Sequence, residues 1–471
     1  MQVVGYFNGA MGTGEHARQL AAALRTQGIT IRPTTLHPDA APEDDELGRD
    51  LDGKQGEQPA GDADFEDFNL LCANAEMVPI VSDQLGHDFF AGRYTIGFWA
   101  WEVSTFPARY RPAFDRLGEV WVGSRHVRDA VAAGAPVPVL TIPQPVSLAP
   151  DAERAQPPAG LPEGYRFLFA FDYLSVFERK NPLAVIEAFA RAFTPGSGAT
   201  LLIKSLNAEY DPGAHGRLRA AVAGHPDIHL IEHRLSSAER DGLMAAADCY
   251  VSLHRAEGFG YTLAESMWLA KPVIATGYSG NLDFMSSENS YLVDHRLVPI
   301  GPGHKPYPAD GVWAEPSVDH AARLMREVFE RPEEAARRGK RAAAEIRSSH
   351  GPDAAGRVMA ERLRLLSASS VGWAKGPRPV STHRAGELIR SGPVPPGSPR
   401  FGAAQRAARG GLLRALKPVT VHQQMVGGEL LRAIEALDAT MQSIALAQNE
   451  VVHRLAQLEA ELRELRAHDR D

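Results

Sequence analysis

Residues 255–276 read RAEGFGYTLAESMWLAKPVIAT. The apolar run that ends at Leu253 leads into a turn holding Gly258 and Gly260, a helical stretch opens near Thr262, and a second apolar run closes at Thr276. Strand, tight turn, helix and strand in this order make one unit of a parallel sheet. A helix opening at Thr262 presents uncommitted backbone N–H groups and the positive end of its dipole at the strand ends. Such a helix start suits a diphosphate, and Gly258 and Gly260 let the backbone approach it closely. Glu257 before the turn and Glu265 in the first helical turn offer two carboxylates to separate hydroxyls of one ligand. Thr262-Leu-Ala-Glu265 also reads as a capping box, like Ser236-Ser-Ala-Glu239, so a purely structural Glu265 stands beside the binding one.

Working outward, the strand candidates YRFLFAF (165–171), TLLIK (200–204), IHLIE (228–232), CYVSL (249–253) and PVIAT (272–276) alternate with helical runs at 182–193, 238–247 and 262–270. A similar alternation occupies the first third of the chain. The run Val3 to Phe7 leads through Gly12 and Gly14 into a helix, and FNLLCAN, YTIGFWAWE, EVWVGS and VPVLTIP follow. Two α/β domains with doubly wound parallel sheets are expected, facing a cleft where ligands bind at the carboxyl ends of the strands. The expected bounds are 1–145 for the first domain and 146–351 for the second, with a helix at 352–366 returning to the first. The proline-punctuated stretch 136–158 reads as the linker between them. Residues 37–67, acidic and aperiodic, read as a mobile insertion.

The chain has 471 residues, 44% of them hydrophobic, and a net charge of −8, which is globular and argues against a nucleic-acid binder. Cys72 and Cys249 sit in apolar runs and read as buried small hydrophobes, which fits a reducing, cytoplasmic setting. The first residues lack the basic and apolar regions of a signal peptide, and no apolar run approaches a membrane span. No metal site is expected. Asp62-Ala-Asp64 lies in the acidic insertion, where such triplets arise by composition, and the histidines show no zinc-like spacing with the cysteines.

The segment Glu257-Gly-Phe-Gly-Tyr-Thr-Leu-Ala-Glu265 resembles the Glu-x7-Glu signature of retaining GT-B glycosyltransferases of the group 1 family, and the likeness spans about residues 1–366. It implies a GT-B fold of two Rossmann-like domains and transfer of a sugar from a nucleotide diphosphate donor with retention of configuration, as in a hexosyltransferase. By the resemblance, Glu265 holds the donor ribose, Glu257 meets the transferred sugar, and the backbone of Phe259, Gly260, Tyr261 and Thr262 meets sugar and phosphate. The turn TGYSGNLDFM adds Ser279 and Gly280 to the donor site. Lys180 stands where the family has its phosphate-binding lysine. The arginine common directly after the preceding strand is replaced here by Asp172 or Tyr173, and Arg179 or Lys204 is expected to substitute. On the facing side the resemblance points to Gly12 and Gly14, and to Trp101 and Glu102 where relatives carry a His-Glu pair. Trp101 reads either as core or as a ring that stacks on a sugar. No cofactor is implied, since the nucleotide sugar is a substrate. A glycan, a metabolite and a protein stay open as acceptor, and the alternative is an oligomeric GT-B scaffold without turnover or a nucleotide-sugar binding protein.

Residues 371–420 hold nine Lys or Arg against one Glu, with many Pro and Gly. This basic stretch, within a linker at 367–425, reads as a solvated tether or as a peripheral contact with an anionic membrane face. Within 426–471 a heptad places Ile434, Met441, Gln448, Leu455 and Leu462 at a, and Leu437, Ile444, Val451, Leu458 and Leu465 at d. A seam of this length predicts a C-terminal coiled coil and a homo-oligomer held through 434–465.

Overall fold

The computed structural model describes residues 1–7, 12–36, 65–149 and 151–368. The insertion at 37–64, the basic stretch 371–420 and the heptads 434–465 lie outside the described residues.

The first domain is a parallel sheet of β1 (Gln2–Gly5), β2 (Arg32–Thr35), β3 (Phe68–Leu71), β4 (Tyr94–Trp99), β5 (Glu119–Val122) and β6 (Val139–Thr141), in the order β2-β1-β3-β4-β5-β6. β6 lies inside the stretch read as linker, so the first sheet extends further along the chain than the prolines suggest. Helices α1 (Gly12–Arg25), α2 (Val78–Leu85), α3 (His87–Phe90) and α4 (Arg125–Ala132) connect these strands. β3 and β5 are buried at every position, as strands covered on both faces must be.

The second sheet contains β7 (Tyr165–Asp172), β8 (Ala199–Leu206), β9 (Ile228–Ile231), β10 (Cys249–Ser252), β11 (Val273–Thr276) and β12 (Tyr291–Val293), in the order β12-β11-β10-β7-β8-β9. Helices α5 (Phe177–Lys180), α6 (Pro182–Ala192), α7 (Pro212–Val222), α8 (Ser237–Ala246) and α9 (Tyr261–Trp268) lie between its strands. Phe167, Phe169 and Leu201 pack under α6 and α7 on one face, and Leu168, Leu202 and Tyr250 pack against α8 and α9 on the other. β7 has β8 on one side and β10 on the other, so the strand order reverses between β7 and β10. That reversal opens the crevice in which doubly wound sheets bind ligands. The loops leaving these two strands carry Arg179 and Lys180, and Glu257.

After β12 the chain forms an antiparallel hairpin, β13 (His295–Pro299) and β14 (Val312–Pro316), absent from the sequence reading. Then come α10 (Val318–Glu330), α11 (Pro332–His350) and α12 (Pro352–Ala368). Ala355, Met359, Ala360 and Leu363 of α12 share a buried cluster with Leu20 and Leu24 of α1, so the chain ends its described part on the first domain. Cys72 and Cys249 are buried free thiols. No helix among the described residues is long and apolar enough to cross a membrane.

Candidate active site

At the end of β10 the chain turns sharply toward the first domain. A Cβ on Gly258 would lie 2.5 Å from the Trp101 carbonyl, so only glycine lets the two backbones come this close. Ser124 Oγ donates to the Gly258 carbonyl at 2.6 Å, and Arg125 reaches Asp283 through its backbone N at 2.8 Å and Nε at 3.1 Å. The turn thus lies in the seam between the domains. Gly260, at φ +96°, caps α9, which starts at Tyr261. Thr262 is therefore already inside the helix and Glu265 lies two residues too deep for a capping box, whereas Ser236 and Glu239 do form one. No side chain caps α9, and the amides of Tyr261 and Thr262 have no acceptor among the described residues. The Phe259 ring is buried against Phe284 and His350, which leaves its backbone as the part at the turn.

Glu257 is the centre of the charge cluster. Lys180 Nζ lies 2.5 Å from its Oε1 and Arg179 Nη1 lies 3.1 Å from its Oε2. Burial favours the neutral carboxyl, but Lys180 and Arg179 outweigh it and hold Glu257 well below the usual carboxylate range. Ser279 Oγ accepts from the Glu257 amide at 2.8 Å and donates to the Tyr278 carbonyl at 2.5 Å. The Gly280 amide donates to the Glu257 carbonyl at 2.9 Å. Ser279 and Gly280 accordingly shape the turn from behind.

Arg179 differs from the expected phosphate ligand. It is 3% exposed, and its guanidinium donates to the carbonyls of Ser175 and Ala256 as well as pairing with Glu257. It positions Glu257 from within the protein. Lys204 is also committed, donating to the carbonyls of Ser205 at 2.7 Å and His233 at 2.9 Å, with burial lowering its pKa to about 8. Asp172, at the end of β7, accepts from Asn207 and from the Leu174 amide. Of the three basic candidates, Lys180 is the one whose side chain, among the described residues, is hydrogen-bonded to a carboxylate of the site alone.

Glu265 lies on α9, 9% exposed, and its carboxyl makes no hydrogen bond or ion pair among the described residues. Burial raises its pKa to about 7. Arg240 on α8 opposes this, while Glu15 on α1 and Asp241 reinforce it.

On the facing side α1 begins at Gly12, so Gly12 and Gly14 belong to the helix start. Trp101 is 4% exposed, its rings meet Phe106, Tyr110 and Tyr307, and Nε1 donates to the Thr105 carbonyl. At that exposure Trp101 is part of the core, the first of its two sequence readings, with little ring left to stack on a sugar. Glu102 is half-buried and accepts from the Tyr307 hydroxyl at 2.9 Å. His254 was not singled out from the sequence. It is fully buried next to Glu257, Lys180 and Arg179, neither ring nitrogen has a partner among the described residues, and burial lowers its pKa to about 3, so it stays neutral. Tyr307 was also missed, since GPGHKPYPADGVW has no helix or strand period. No group of three or more His, Cys, Asp or Glu suited to a metal ion occurs among the described residues.

Comparison with known proteins bears on the fold and on the second domain. The family model described as Glycosyl transferases group 1 matches residues 168–299, from β7 through the Glu257 turn to β13. No curated protein sequence matches the chain significantly. Among solved structures, Anabaena HepE in complex with UDP and glucose has a TM-score of 0.54 and 15% identity over 77% of this chain and 99% of its own. A glycosyltransferase from Rickettsia africae has a TM-score of 0.54 and 14% identity, over 78% of this chain and 98% of its own. Sucrose-phosphate synthase from Thermosynechococcus elongatus has a TM-score of 0.54 and 15% identity, over 78% of this chain and 99% of its own. The chain thus has the GT-B fold, and its residues 168–299 match the glycosyl transferases group 1 family model.

Proposed function

We propose that the chain transfers a sugar from a nucleotide diphosphate donor to an acceptor hydroxyl, with retention at the anomeric carbon and without a metal ion. The carrying observation is the pairing of Lys180 with Glu257 at the strand-order reversal, beside the uncapped start of α9. The open amides and dipole of α9 suit the diphosphate. Lys180, exchanging its partner Glu257 for a phosphate oxygen, stabilises charge on the departing nucleotide. The freed Glu257 carboxylate, still held by Arg179, accepts a hydroxyl of the transferred sugar, and Glu265 accepts from the ribose.

A carboxylate still paired with the buried Arg179 guanidinium and accepting a sugar hydroxyl is a poor nucleophile, which speaks against a covalent intermediate on Glu257. The reading is front-face attack. The acceptor oxygen bonds to the anomeric carbon as the bond from that carbon to the phosphate oxygen breaks, and the acceptor proton passes to that phosphate oxygen. The protein supplies position and water exclusion.

Incubation with a panel of nucleotide sugars is expected to release free nucleotide with at least one donor. Glu257→Gln is expected to lower that release by about 100-fold, the scale set by losing one strong contact in a dry site. A product of inverted anomeric configuration by NMR would refute retention, and no nucleotide release or binding with any donor would refute the transfer reading itself.

A further inference from the structure

The hairpin β13–β14 leaves the second domain and lies on the first. Ile300, Tyr307 and Trp313 share a buried cluster with Trp101 and Val103. Arg109 Nη2 donates to the Pro306 carbonyl at 2.5 Å. At the root of the hairpin, Arg255 Nε donates to Glu315 at 2.9 Å, and its Nη1 donates to the Glu178 carbonyl at 2.8 Å. The hairpin is therefore anchored to α5, which carries Arg179 and Lys180, and reaches the loop that carries Glu102.

Tyr307 is the residue at which the two anchors meet. Its ring is 8% exposed and lies 5.5 Å from that of Trp101, and its hydroxyl donates to Glu102 Oε2 at 2.9 Å. The hydroxyl is close enough to Arg179 and Glu257 to interact with their charges, and Glu102 likewise interacts with Arg179 and Lys180. Burial keeps Tyr307 far above its ordinary pKa, so it remains a phenol that can only donate to the carboxylate. Glu102 Oε1 makes no hydrogen bond or ion pair among the described residues. The backbone on both sides of Glu102 is also fixed. His126 Nε2 lies 2.9 Å from the Glu102 carbonyl, and Trp101 and Val103 are buried. A carboxylate tied through one oxygen, within electrostatic reach of Lys180 and Arg179, is a ready acceptor for a hydroxyl.

We infer that Tyr307 is a positioning residue that holds Glu102, from the facing domain, to accept a hydroxyl at the reacting end of the bound ligand. This rests on the proposed function, and the hydroxyl belongs either to the transferred sugar or to the acceptor. A tie that merely closes the domains would affect all ligands alike, whereas a positioning tie acts through Glu102 only.

The test uses the full chain with UDP-, GDP- and ADP-glucose and their free nucleotides, comparing wild type, Tyr307→Phe, Glu102→Gln and the double variant. Affinity is read by calorimetry and turnover by nucleotide release. Tyr307→Phe is expected to leave free-nucleotide affinity unchanged and to lower turnover by about tenfold, the scale of one hydrogen bond to a charged group. In the Glu102→Gln background the same change is expected to add less than about twofold, as for residues acting as one unit. A parallel loss of nucleotide-sugar affinity assigns the hydroxyl to the donor sugar, and unchanged affinity assigns it to the acceptor. Additive losses in the double variant, or an equal fall in free-nucleotide affinity, would overturn the role of Tyr307 alone. A wild-type chain that binds none of the nucleotides would instead overturn the functional reading, and the inference with it.

Discussion

Glu257 and Glu265 have the same side chain and lie on the same turn-helix unit, yet their environments drive them apart. Both are buried, which favours the neutral acid. Lys180 and Arg179 reverse that preference at Glu257, whereas at Glu265 the opposing Arg240 is shared with Asp241 and Glu15 adds repulsion. A carboxyl whose native pKa is raised to about 7 keeps a proton that the unfolded chain gives up near its ordinary value. Its contribution to stability therefore falls as pH rises through that window. Ribose hydroxyls donate hydrogen bonds and favour the ionised form, so nucleotide binding should release a proton. Nucleotide affinity is expected to rise by about tenfold between pH 6 and pH 8 in excess of whatever Glu265→Gln shows, as linkage to one group near 7 requires. Calorimetry at the two pH values in buffers of different ionisation heat checks this, and equal pH dependence in wild type and variant would contradict it.

At the scale of elements, the start of α9 and the start of α8 form an instructive pair. α8 is closed by a reciprocal capping box of Ser236 and Glu239, while α9 begins on a left-handed glycine with no side-chain cap. One start is satisfied within the protein and the other is left open for a ligand. Gly260→Ala would hold a non-glycine residue at φ +96° and place its Cβ 2.8 Å from Leu263 Cδ1. The expected cost is about 1–2 kcal/mol of stability, accompanied by loss of nucleotide affinity. Ser236→Ala should cost about 1 kcal/mol through its lost cap and leave nucleotide affinity unchanged. Urea denaturation and calorimetry on both variants separate the two helix starts, and equal effects on nucleotide affinity would mean that the open end of α9 is not a binding feature.

At the scale of the molecule, three segments join the two domains. The backbone after β6 enters the second domain, the hairpin β13–β14 leans back on the first, and α12 returns to it. The return is fastened by Arg362, whose Nε and Nη2 reach the Glu119 carboxylate at 3.2 and 2.5 Å. Glu119 is fully buried and also accepts from Trp121 Nε1 at 2.6 Å. Arg362→Leu would leave that carboxylate without its counter-charge, an expected loss of roughly 3–5 kcal/mol. A urea midpoint within error of wild type would show that α12 is held by its apolar face alone.

Local order was readable from residues. Alternating apolar strands and helices announce two parallel sheets, and the glycines and glutamates at 257–265 mark the anion-binding turn, because strand, turn and helix starts follow from short-range periodicity and backbone chemistry. Partner choice was not readable in this way. Arg179, Lys204 and Trp101 have side chains suited to phosphates or sugars, and packing spent them on carbonyls and rings. Tyr307 joins the site from a segment with no pattern of its own, and His254, just past a strand that was legible, carries no local sign of its buried place beside Glu257. Which polar atom meets which is settled when two domains close on one another, and contacts spanning 205 positions, as between Glu102 and Tyr307, leave no local trace in the chain.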